Sequence, residues 1–346
     1  MIPKIVSIYS GAGGIDLGFH KAGFKTIFAT DIWDVSCATL QENFKDAEVV
    51  CKSIADLDFK LIKEKHQHID GLVGGPPCPP FSKSRFYRTE KERGINDADG
   101  QLTLTNYFRA VEELNPTFFL FENVHGFIYK PHQAALDYLI IESERLGYNI
   151  AYKVVNTANY GVPQTRERFI CIGVRKELKK FVFPEETHAD PQKNVELGLK
   201  PWVTAGDAIG NIDYDLPADK DMEAGSKHKD LLKLVPPGDN YLFFTKERNY
   251  PDPVFKWRSR YWSFLLKLSP DRPSWTIQAS FSNNMGPFHW KSRFLRIQEI
   301  KRIQTFDDDY KITGTFRDQW RQVGNAVPPR MAHIIAQQVK LQYFEE

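Results

Sequence analysis

In the first half of the chain, short apolar runs alternate with longer stretches that mix apolar and polar residues. Short runs rich in Val, Ile and Phe predict strands at 4–8, 26–30, 69–73, 117–121, 150–155 and 168–174. Stretches of helical periodicity lie between them, at 15–22, 35–44, 107–114 and 133–146. Strands without polar alternation are typical of parallel strands buried on both faces. The pattern therefore predicts a doubly wound α/β sheet that binds ligands at the carboxyl ends of its strands.

This alternation stops near Phe183. The stretch 184–240 is rich in Pro, Asp and Gly, and helical patterning returns only at 297–304 and 331–339. We therefore expect one α/β domain over 1–183, a smaller inserted domain over 184–292, and a C-terminal segment over 293–346 that returns to the first domain.

Composition narrows the class of protein. At 346 residues, 42% hydrophobic and 26% charged, the chain resembles an ordinary soluble globular protein without a membrane span or a signal peptide. Its 4 cysteines lie far apart, which excludes a disulfide scaffold, argues against a metal site and favours a cytoplasmic location. The formal net charge of +2 argues, at first, against a nucleic-acid partner.

A glycine-rich turn follows the first predicted strand, at Tyr9–Gly14. Its glycines permit a tight turn and close approach of a ligand to the start of a helix. Asp16 occupies the place of the third glycine in the dinucleotide fingerprint, while Asp31 ends the second predicted strand and could accept hydrogen bonds from a ribose. The turn indicates a nucleoside-like cofactor, although a turn without a ligand and a nicotinamide-dependent oxidoreductase both remain open at this point.

Three further strand ends carry reactive side chains. Cys78 lies between two pairs of prolines, which force the chain out of the sheet. Glu122 follows an apolar strand, where a raised pKa would suit proton donation. Arg166 and Arg168 alternate at the start of another strand, so they are predicted to share one face and to suit an anion or a carbonyl group.

Six motifs in fixed order resemble those of the bacterial-type DNA (cytosine-5) methyltransferases. They are Tyr9–Gly14, Pro77-Cys78, Glu122-Asn123-Val124, Gln164-Thr165-Arg166-Glu167-Arg168, the segment 296–306, and Gln322-Val323-Gly324-Asn325-Ala326-Val327-Pro328-Pro329. The resemblance implies a Rossmann-like methyltransferase domain that uses S-adenosylmethionine, with an inserted target-recognition domain. It also implies double-stranded DNA as the partner and a flipped-out cytosine as the substrate.

The resemblance assigns roles residue by residue. Cys78 matches the nucleophile that attacks cytosine carbon 6, and Glu122 the acid that protonates ring nitrogen 3. Arg166 and Arg168 match the arginines that hold the base and support the catalytic centre. Cofactor contacts are implied for Tyr9, Gly11, Gly13, Gly14, Asp31, Ile32, Ser53, Ile54, Pro77, Gly100, Leu102, Asn325 and Ala326.

Three positions depart from the family pattern. Tyr9 stands where phenylalanine is usual, Ser53 where aspartate is usual, and Pro79 where glutamine is common.

The small net charge conceals two opposed segments. Residues 184–240 carry a net charge of −6, whereas residues 241–296 carry +7 and are 25% aromatic. Basic and aromatic side chains together suit phosphate and base contacts, so the inference about a nucleic-acid partner reverses. The predicted DNA contacts are Ser82, Lys256, Arg258, Arg260, Arg272, Thr276 and Lys291.

The predicted function is sequence-specific methylation of cytosine carbon 5 in double-stranded DNA. The resemblance implies a monomer in a restriction-modification system, with a cognate restriction endonuclease that acts separately. Two alternatives share the same motifs: a tRNA cytosine-5 methyltransferase and a catalytically inactive DNA-binding relative.

Overall fold

The computed structural model describes residues 2–77, 98–193, 196, 198–258, 261–280 and 282–345, without the side chains of 98–101, 220 and 221. Among these residues, no helix combines the length and the apolar character required to cross a lipid bilayer.

Within the described ranges, seven strands form one sheet in the order β3-β2-β1-β4-β5-β8-β6. Four shorter strands form two further pairs, β9 with β10 and β7 with β11. The strands are β1 Lys4–Ile8, β2 Lys25–Asp31, β3 Glu48–Cys51, β4 Gly71–Gly74, β5 Phe118–Val124, β6 Tyr148–Asn156, β7 Gln164–Thr165, β8 Glu167–Arg175, β9 His188–Ala189, β10 Lys200–Pro201 and β11 Ser274–Trp275.

Helices cover both faces of the large sheet, and further helices lie in the second half of the chain. They are α1 Gly14–Lys21, α2 Asp34–Asn43, α3 Phe59–His66, α4 Ala98–Leu114, α5 Gln133–Arg145, α6 Ala205–Ile209, α7 Lys229–Leu234, α8 Ile297–Ile303, α9 Phe316–Asn325 and α10 Pro329–Tyr343.

The central strand β5 explains why the sheet is buried on both faces. Its alternate residues point to opposite faces, so a fully apolar strand supplies two cores. Phe119 and Phe121 pack with apolar residues of α3, α4 and α5. Phe118 and Leu120 pack with residues of α1 and α10 on the other face. The predicted doubly wound α/β architecture is confirmed.

The expectation of a wholly parallel sheet is wrong for β8, which runs antiparallel to both β5 and β6. The connection over 157–166 is shorter than the roughly a dozen residues that a parallel crossover needs, so the chain turns back instead. As a result, the first residues of β8 lie at the carboxyl edge of β5, where Arg168 pairs with Val124. The short edge strand β3 was not predicted, because its side chains are only partly buried and its apolar run is brief.

The end of the chain packs on its beginning. Gly18 in α1 lies so close to α10 that a methyl group there would be 2.4 Å from the Ala332 Cβ. A third apolar cluster joins Ala12 and Leu17 to residues of α6, α8 and α9. A fourth cluster lies within 222–294 and contains much of the aromatic content of that segment. The domain limits at 183 and 292 stay a prediction.

Candidate active site

A cavity of about 840 Å³ opens at the carboxyl edge of the sheet. Its lining comes from the residues that follow β1, β2, β3 and β4, from the end of β5, from the start of β8 and from the end of α9. The lining includes these predicted cofactor and catalytic residues: Tyr9, Gly11, Gly14, Asp31, Ile32, Ser53, Ile54, Pro77, Leu102, Glu122, Arg168, Asn325 and Ala326.

Asp31 accepts hydrogen bonds from the glycine turn and from the segment that follows β2. The Gly11 N–H donates to Asp31 Oδ2 at 2.8 Å, and the Trp33 N–H donates to Asp31 Oδ1 at 2.9 Å. Burial raises the pKa of Asp31, while these backbone donors oppose that rise. Each carboxylate oxygen keeps a second lone pair, so Asp31 can still accept hydrogen bonds from hydroxyl groups in the cavity.

Gly13 and Gly14 allow the turn to pack against the end of the chain. Gly13 has a φ of +76°, and a Cβ there would be 2.6 Å from the Tyr310 hydroxyl oxygen. A Cβ on Gly14 would be 2.3 Å from the Val327 carbonyl oxygen. The structure thus puts Gly13 behind the cavity rather than in its lining, where it supports the turn.

Asp16 is a buried carboxyl group whose contacts the sequence did not predict. It is fully buried below the turn, and it accepts hydrogen bonds from the Ser7 hydroxyl at 2.9 Å and the Thr26 hydroxyl at 3.2 Å. Burial raises the pKa of Asp16 to about 6. The sequence does carry one signal of this buried carboxyl group, because Asp16 lies between apolar neighbours in the first turn of a helix.

One wall of the cavity is apolar yet open. Ile32 is 75% exposed and Leu102 is 57% exposed, although both line the cavity. Apolar side chains left open in this way suit the faces of a flat ring. Ser53 lies beside them, where its hydroxyl accepts a hydrogen bond from the Ala55 N–H at 3.3 Å.

A second unpredicted feature lies at the mouth of the cavity. The Arg321 guanidinium carbon is 4.5 Å from the centroid of the Trp33 ring, and both residues line the cavity. This cation–π contact joins the segment after β2 to α9. Only the folded chain brings these two residues together, so their spacing in the sequence carried no signal.

Glu122 and Arg168 form the polar end of the cavity. The Arg168 Nε donates to Glu122 Oε1 at 2.8 Å. Burial raises the pKa of Glu122, and the positive charges of Arg168 and Arg166 oppose that rise. A Cβ on Gly75 would be 2.7 Å from Glu122 Oε2, so this glycine leaves the carboxyl group its room.

Arg166 takes partners different from those of Arg168. It is 1% exposed, and its guanidinium donates to the Ile277 carbonyl at 3.0 Å and the Gly324 carbonyl at 2.9 Å. The strand is interrupted at Arg166, between β7 and β8, and the positive charges of both arginines still act on Glu122, so the expected common face stays a prediction. Arg166 thereby holds two distant segments against the base of the cavity.

Several predicted residues lie where their side chains are not described. Cys78, Ser82 and Arg260 are outside the described residues, and Gly100 lies in the first turn of α4. Pro77, next to Cys78, lines the cavity.

Comparison with known proteins decides the family. The family model for C-5 cytosine-specific DNA methylases matches residues 3–341. The chain belongs to the C-5 cytosine-specific DNA methylases.

Individual relatives agree with this assignment. The methylase is 37% identical to the type II methyltransferase M.SacI of Streptomyces achromogenes, over 96% of this chain and 91% of the relative. It is 33% identical to the type II methyltransferase M.NgoFVII of Neisseria gonorrhoeae, over 95% of this chain and 84% of the relative. A crystal structure of a prophage-encoded DNA modification methyltransferase from E. coli is similar, with a TM-score of 0.68, 25% identity and coverage of 99% and 100% of the two chains. The nicotinamide-dependent oxidoreductase that the glycine turn left open is thus excluded.

The described DNA-contact candidates of the methylase differ in their exposure and in their partners. Lys256, Arg258 and Arg272 are exposed. Thr276 is half-buried, and its hydroxyl donates to the Thr165 carbonyl at 2.8 Å. By contrast, the Lys291 ammonium lies 3.0 Å from Asp213 and 2.9 Å from Asp215.

Part of the positive charge of 241–296 is therefore neutralised within the methylase. Besides Lys291, Arg296 pairs with Asp219, and Arg293 pairs with Glu299 at 2.7 Å. The exposed basic surface is smaller than the sum over the sequence implied.

Proposed function

We propose that this methylase transfers a methyl group from S-adenosylmethionine to carbon 5 of a cytosine flipped out of double-stranded DNA. One observation carries the proposal: the Glu122–Arg168 pair lies in the wall of the same cavity as the glycine turn and Asp31. A cofactor and a base that enter this cavity meet beside an acid and an arginine.

The cavity residues fit S-adenosylmethionine. Asp31 has lone pairs for the ribose hydroxyls, and the open faces of Ile32 and Leu102 suit the adenine ring. Gly11 and Gly14 bring the main chain close to the bound group without side chains in the way. When bound there, the cofactor supplies an electrophilic methyl group.

Glu122 is assigned the proton transfer. Because burial raises its pKa, a larger share of the carboxyl group is protonated near neutral pH. A proton given to cytosine nitrogen 3 draws electrons from the ring and makes carbon 6 electrophilic. Arg168 holds Oε1 in place, so the carboxyl group keeps one orientation during this step.

Cys78 is assigned the covalent step. Its thiolate adds to carbon 6, and the electron pair displaced onto carbon 5 takes the methyl group as the bond from that group to the cofactor sulfur breaks, which leaves S-adenosylhomocysteine. Transfer of the carbon 5 proton to water or another base then returns electrons to the ring and expels the Cys78 thiolate. The nitrogen 3 proton returns to Glu122, which restores the neutral aromatic ring. A thiol suits this role because it both adds and leaves readily.

We also propose the setting in which the methylase acts. Residues 184–292 form the target-recognition domain, and the enzyme is the modification half of a restriction-modification system whose endonuclease acts separately. The type II names of M.SacI and M.NgoFVII support this role. The covalent step needs a reduced Cys78 thiol, which suits the cytoplasm, and we propose that the enzyme acts there as a monomer.

The two alternatives have less support. The matching family is named for DNA, which disfavours a tRNA substrate, and the Glu122–Arg168 pair disfavours an inactive relative.

Methyl transfer from labelled S-adenosylmethionine tests the proposal, with duplex DNA and tRNA as parallel substrates. We expect label in DNA from the wild type, none from Cys78→Ser, and retained DNA binding by that variant. The wild type should also form a covalent adduct with duplex DNA that contains 5-fluorocytosine, since the carbon 5 fluorine cannot leave as a proton. Label in tRNA alone, or full turnover by Cys78→Ser, would overturn the proposal.

A further inference from the structure

Among the described residues of the basic segment 241–296, four aromatic side chains are exposed. Trp257, Tyr261, Trp262 and Trp275 are 45%, 42%, 44% and 37% exposed, respectively. Large apolar side chains clustered at a surface mark an interaction site. The exposed Lys256, Arg258 and Arg272 belong to the same segment, so the partner is a polyanion with faces that can stack.

Two of these side chains form a pair. The ring centroids of Trp262 and Trp275 are 5.3 Å apart, and the rings meet edge to face at 79°. The Trp262 main chain is itself fixed, because its carbonyl accepts a hydrogen bond from the Asn240 side chain at 2.7 Å. Trp262 therefore braces the Trp275 ring from one side and restricts its rotation.

The main chain of Trp275 pairs with β7, the short strand just before β8, which carries Arg168. In the β7–β11 pair, Trp275 is in register with Thr165, which also accepts the hydrogen bond from Thr276. Buried Arg166 donates to the Ile277 carbonyl, two residues after Trp275. Trp275 thus has a rigid link to the segment that ends in Arg168, whereas Trp257 belongs to a stretch without a described strand pairing.

From this arrangement we infer that Trp275, braced by Trp262, stacks on the bases that the extruded cytosine leaves behind and so stabilises the flipped state. The inference rests on the proposed function, because it requires a cytosine in the Glu122–Arg168 cavity. Extrusion of a base costs a few kcal/mol of lost stacking and pairing. The Trp275 indole, held next to β7, replaces part of the lost stacking once the base has reached the cavity.

Stacking in a vacated gap has an effect that an ordinary phosphate contact does not share. A duplex with an abasic target position offers the same gap between its neighbouring bases, so Trp275 stacks there as well. A duplex without the target site keeps its bases stacked and offers no gap. We therefore compare Kd for the mapped target duplex, for the same duplex with an abasic target position, and for a duplex of equal length without the target site, all in the presence of S-adenosylhomocysteine.

Trp275→Ala should weaken binding of the intact duplex by about 5- to 150-fold, the range expected for one aromatic–base stack. Its effect on the abasic duplex should be of similar size, and its effect on the duplex without the target site should be less than about threefold. Trp275→Phe should retain most of the affinity, and Trp262→Ala should show the same pattern as Trp275→Ala with a smaller loss. Tyr152→Ala is the matched control, since it removes an aromatic side chain that is 45% exposed on β6.

Each outcome bears on the inference. A similar loss on all three duplexes, a loss on the intact target alone, or no loss on any of them would overturn it. If Trp275→Ala does not fold, then Trp275→Phe and Trp262→Ala carry the same comparison. A wild type that transfers no methyl group to DNA contradicts the proposed function instead, and that result is read before any variant is compared.

Discussion

Glu122 and Glu299 are both buried and both contact arginine, yet the two contacts differ in number and in surroundings. Glu122 lies in the cavity wall, where Arg168 reaches one oxygen at 2.8 Å. Glu299, in the first turn of α8, is fully buried and accepts two hydrogen bonds from Arg293, at 2.7 and 2.9 Å. The main-chain N–H of Arg296 adds a third at 2.8 Å.

The difference separates a reactive carboxyl group from a structural one. Glu299 commits both of its oxygens to the joint between 293–296 and α8, which leaves no capacity for a substrate. Glu122 has an open cavity before it and a pKa raised by burial, so it can exchange a proton. Substitution should therefore affect catalysis at one site and folding at the other.

Glu122→Gln should give the largest effect, on catalysis alone. Glutamine still accepts the Arg168 hydrogen bond, but it cannot deliver a proton. We expect the single-turnover rate of methyl transfer to fall by about 10²- to 10⁴-fold, the usual contribution of a positioned acid. The free energy of unfolding should change by less than about 1 kcal/mol.

Quenched-flow measurement with labelled S-adenosylmethionine, beside urea denaturation, checks both values. A rate within threefold of the wild type, or a loss of stability as large as the increase in activation free energy, contradicts the assignment of Glu122 as the acid.

Glu299→Ala should give the opposite result. Without the carboxylate, the Arg293 guanidinium stays buried without its main partner, and removal of one member of a buried pair costs about 3–5 kcal/mol. We expect that loss in the free energy of unfolding from urea denaturation. The folded fraction should still transfer methyl groups at a rate near that of the wild type.

Glu299→Gln is the matched control for that experiment, since it keeps an acceptor for Arg293 and should lose less stability. A loss below about 1 kcal/mol in Glu299→Ala would show that the joint is not structural.

The contrast also explains which features the sequence could predict. Strand periodicity and the motifs at strand ends depend on neighbours in the chain, so the doubly wound sheet and Glu122 followed from local pattern. The direction of β8 did not, because an apolar run such as 169–174 is the same in either orientation. Only the short connection before it forces the antiparallel arrangement.

The ion pairs beside Glu299 join segments that are far apart in the chain, so the sequence misrepresented the charge of this region. The net charge of +7 over residues 241–296 includes Arg293, Arg296 and Lys291 as if their charges were available to DNA. In the fold, Asp213 and Asp219 of the acidic segment pair with all three of them. The opposed charges of the two segments partly neutralise each other.

Asp16 provides an intermediate case, a buried carboxyl group held by two hydroxyl groups instead of an arginine. Its pKa is raised from 3.8 to about 6, so its contribution to stability is fully present below pH 3.8 and is lost as the pH rises through 6. At 1.36 kcal/mol per pKa unit, the loss approaches about 2–3 kcal/mol by neutral pH.

Asp16→Asn removes this titration and isolates its effect. The stability of the variant minus that of the wild type should rise by about 2–3 kcal/mol between pH 4 and 7, then stay level. Urea denaturation of both proteins across this range measures the difference. A difference that does not change with pH contradicts the assigned pKa of Asp16.

Arg272 and Lys291 should show the smallest effect, which concerns the salt dependence of DNA binding. A cation that contacts a phosphate releases a counterion, so its removal should lower the slope of log K against log salt by about 0.9. Arg272 is exposed, and Arg272→Ala should lower the slope by that amount. Lys291 is paired with Asp213 and Asp215, so Lys291→Ala should leave the slope nearly unchanged.

Fluorescence anisotropy with a labelled duplex over a salt series measures both slopes. If Lys291→Ala lowers the slope as much as Arg272→Ala, then DNA draws Lys291 away from its two carboxylates on binding. The acidic and basic segments would then exchange partners during recognition, and the joint beside Glu299 would move with the DNA instead of serving as a fixed support.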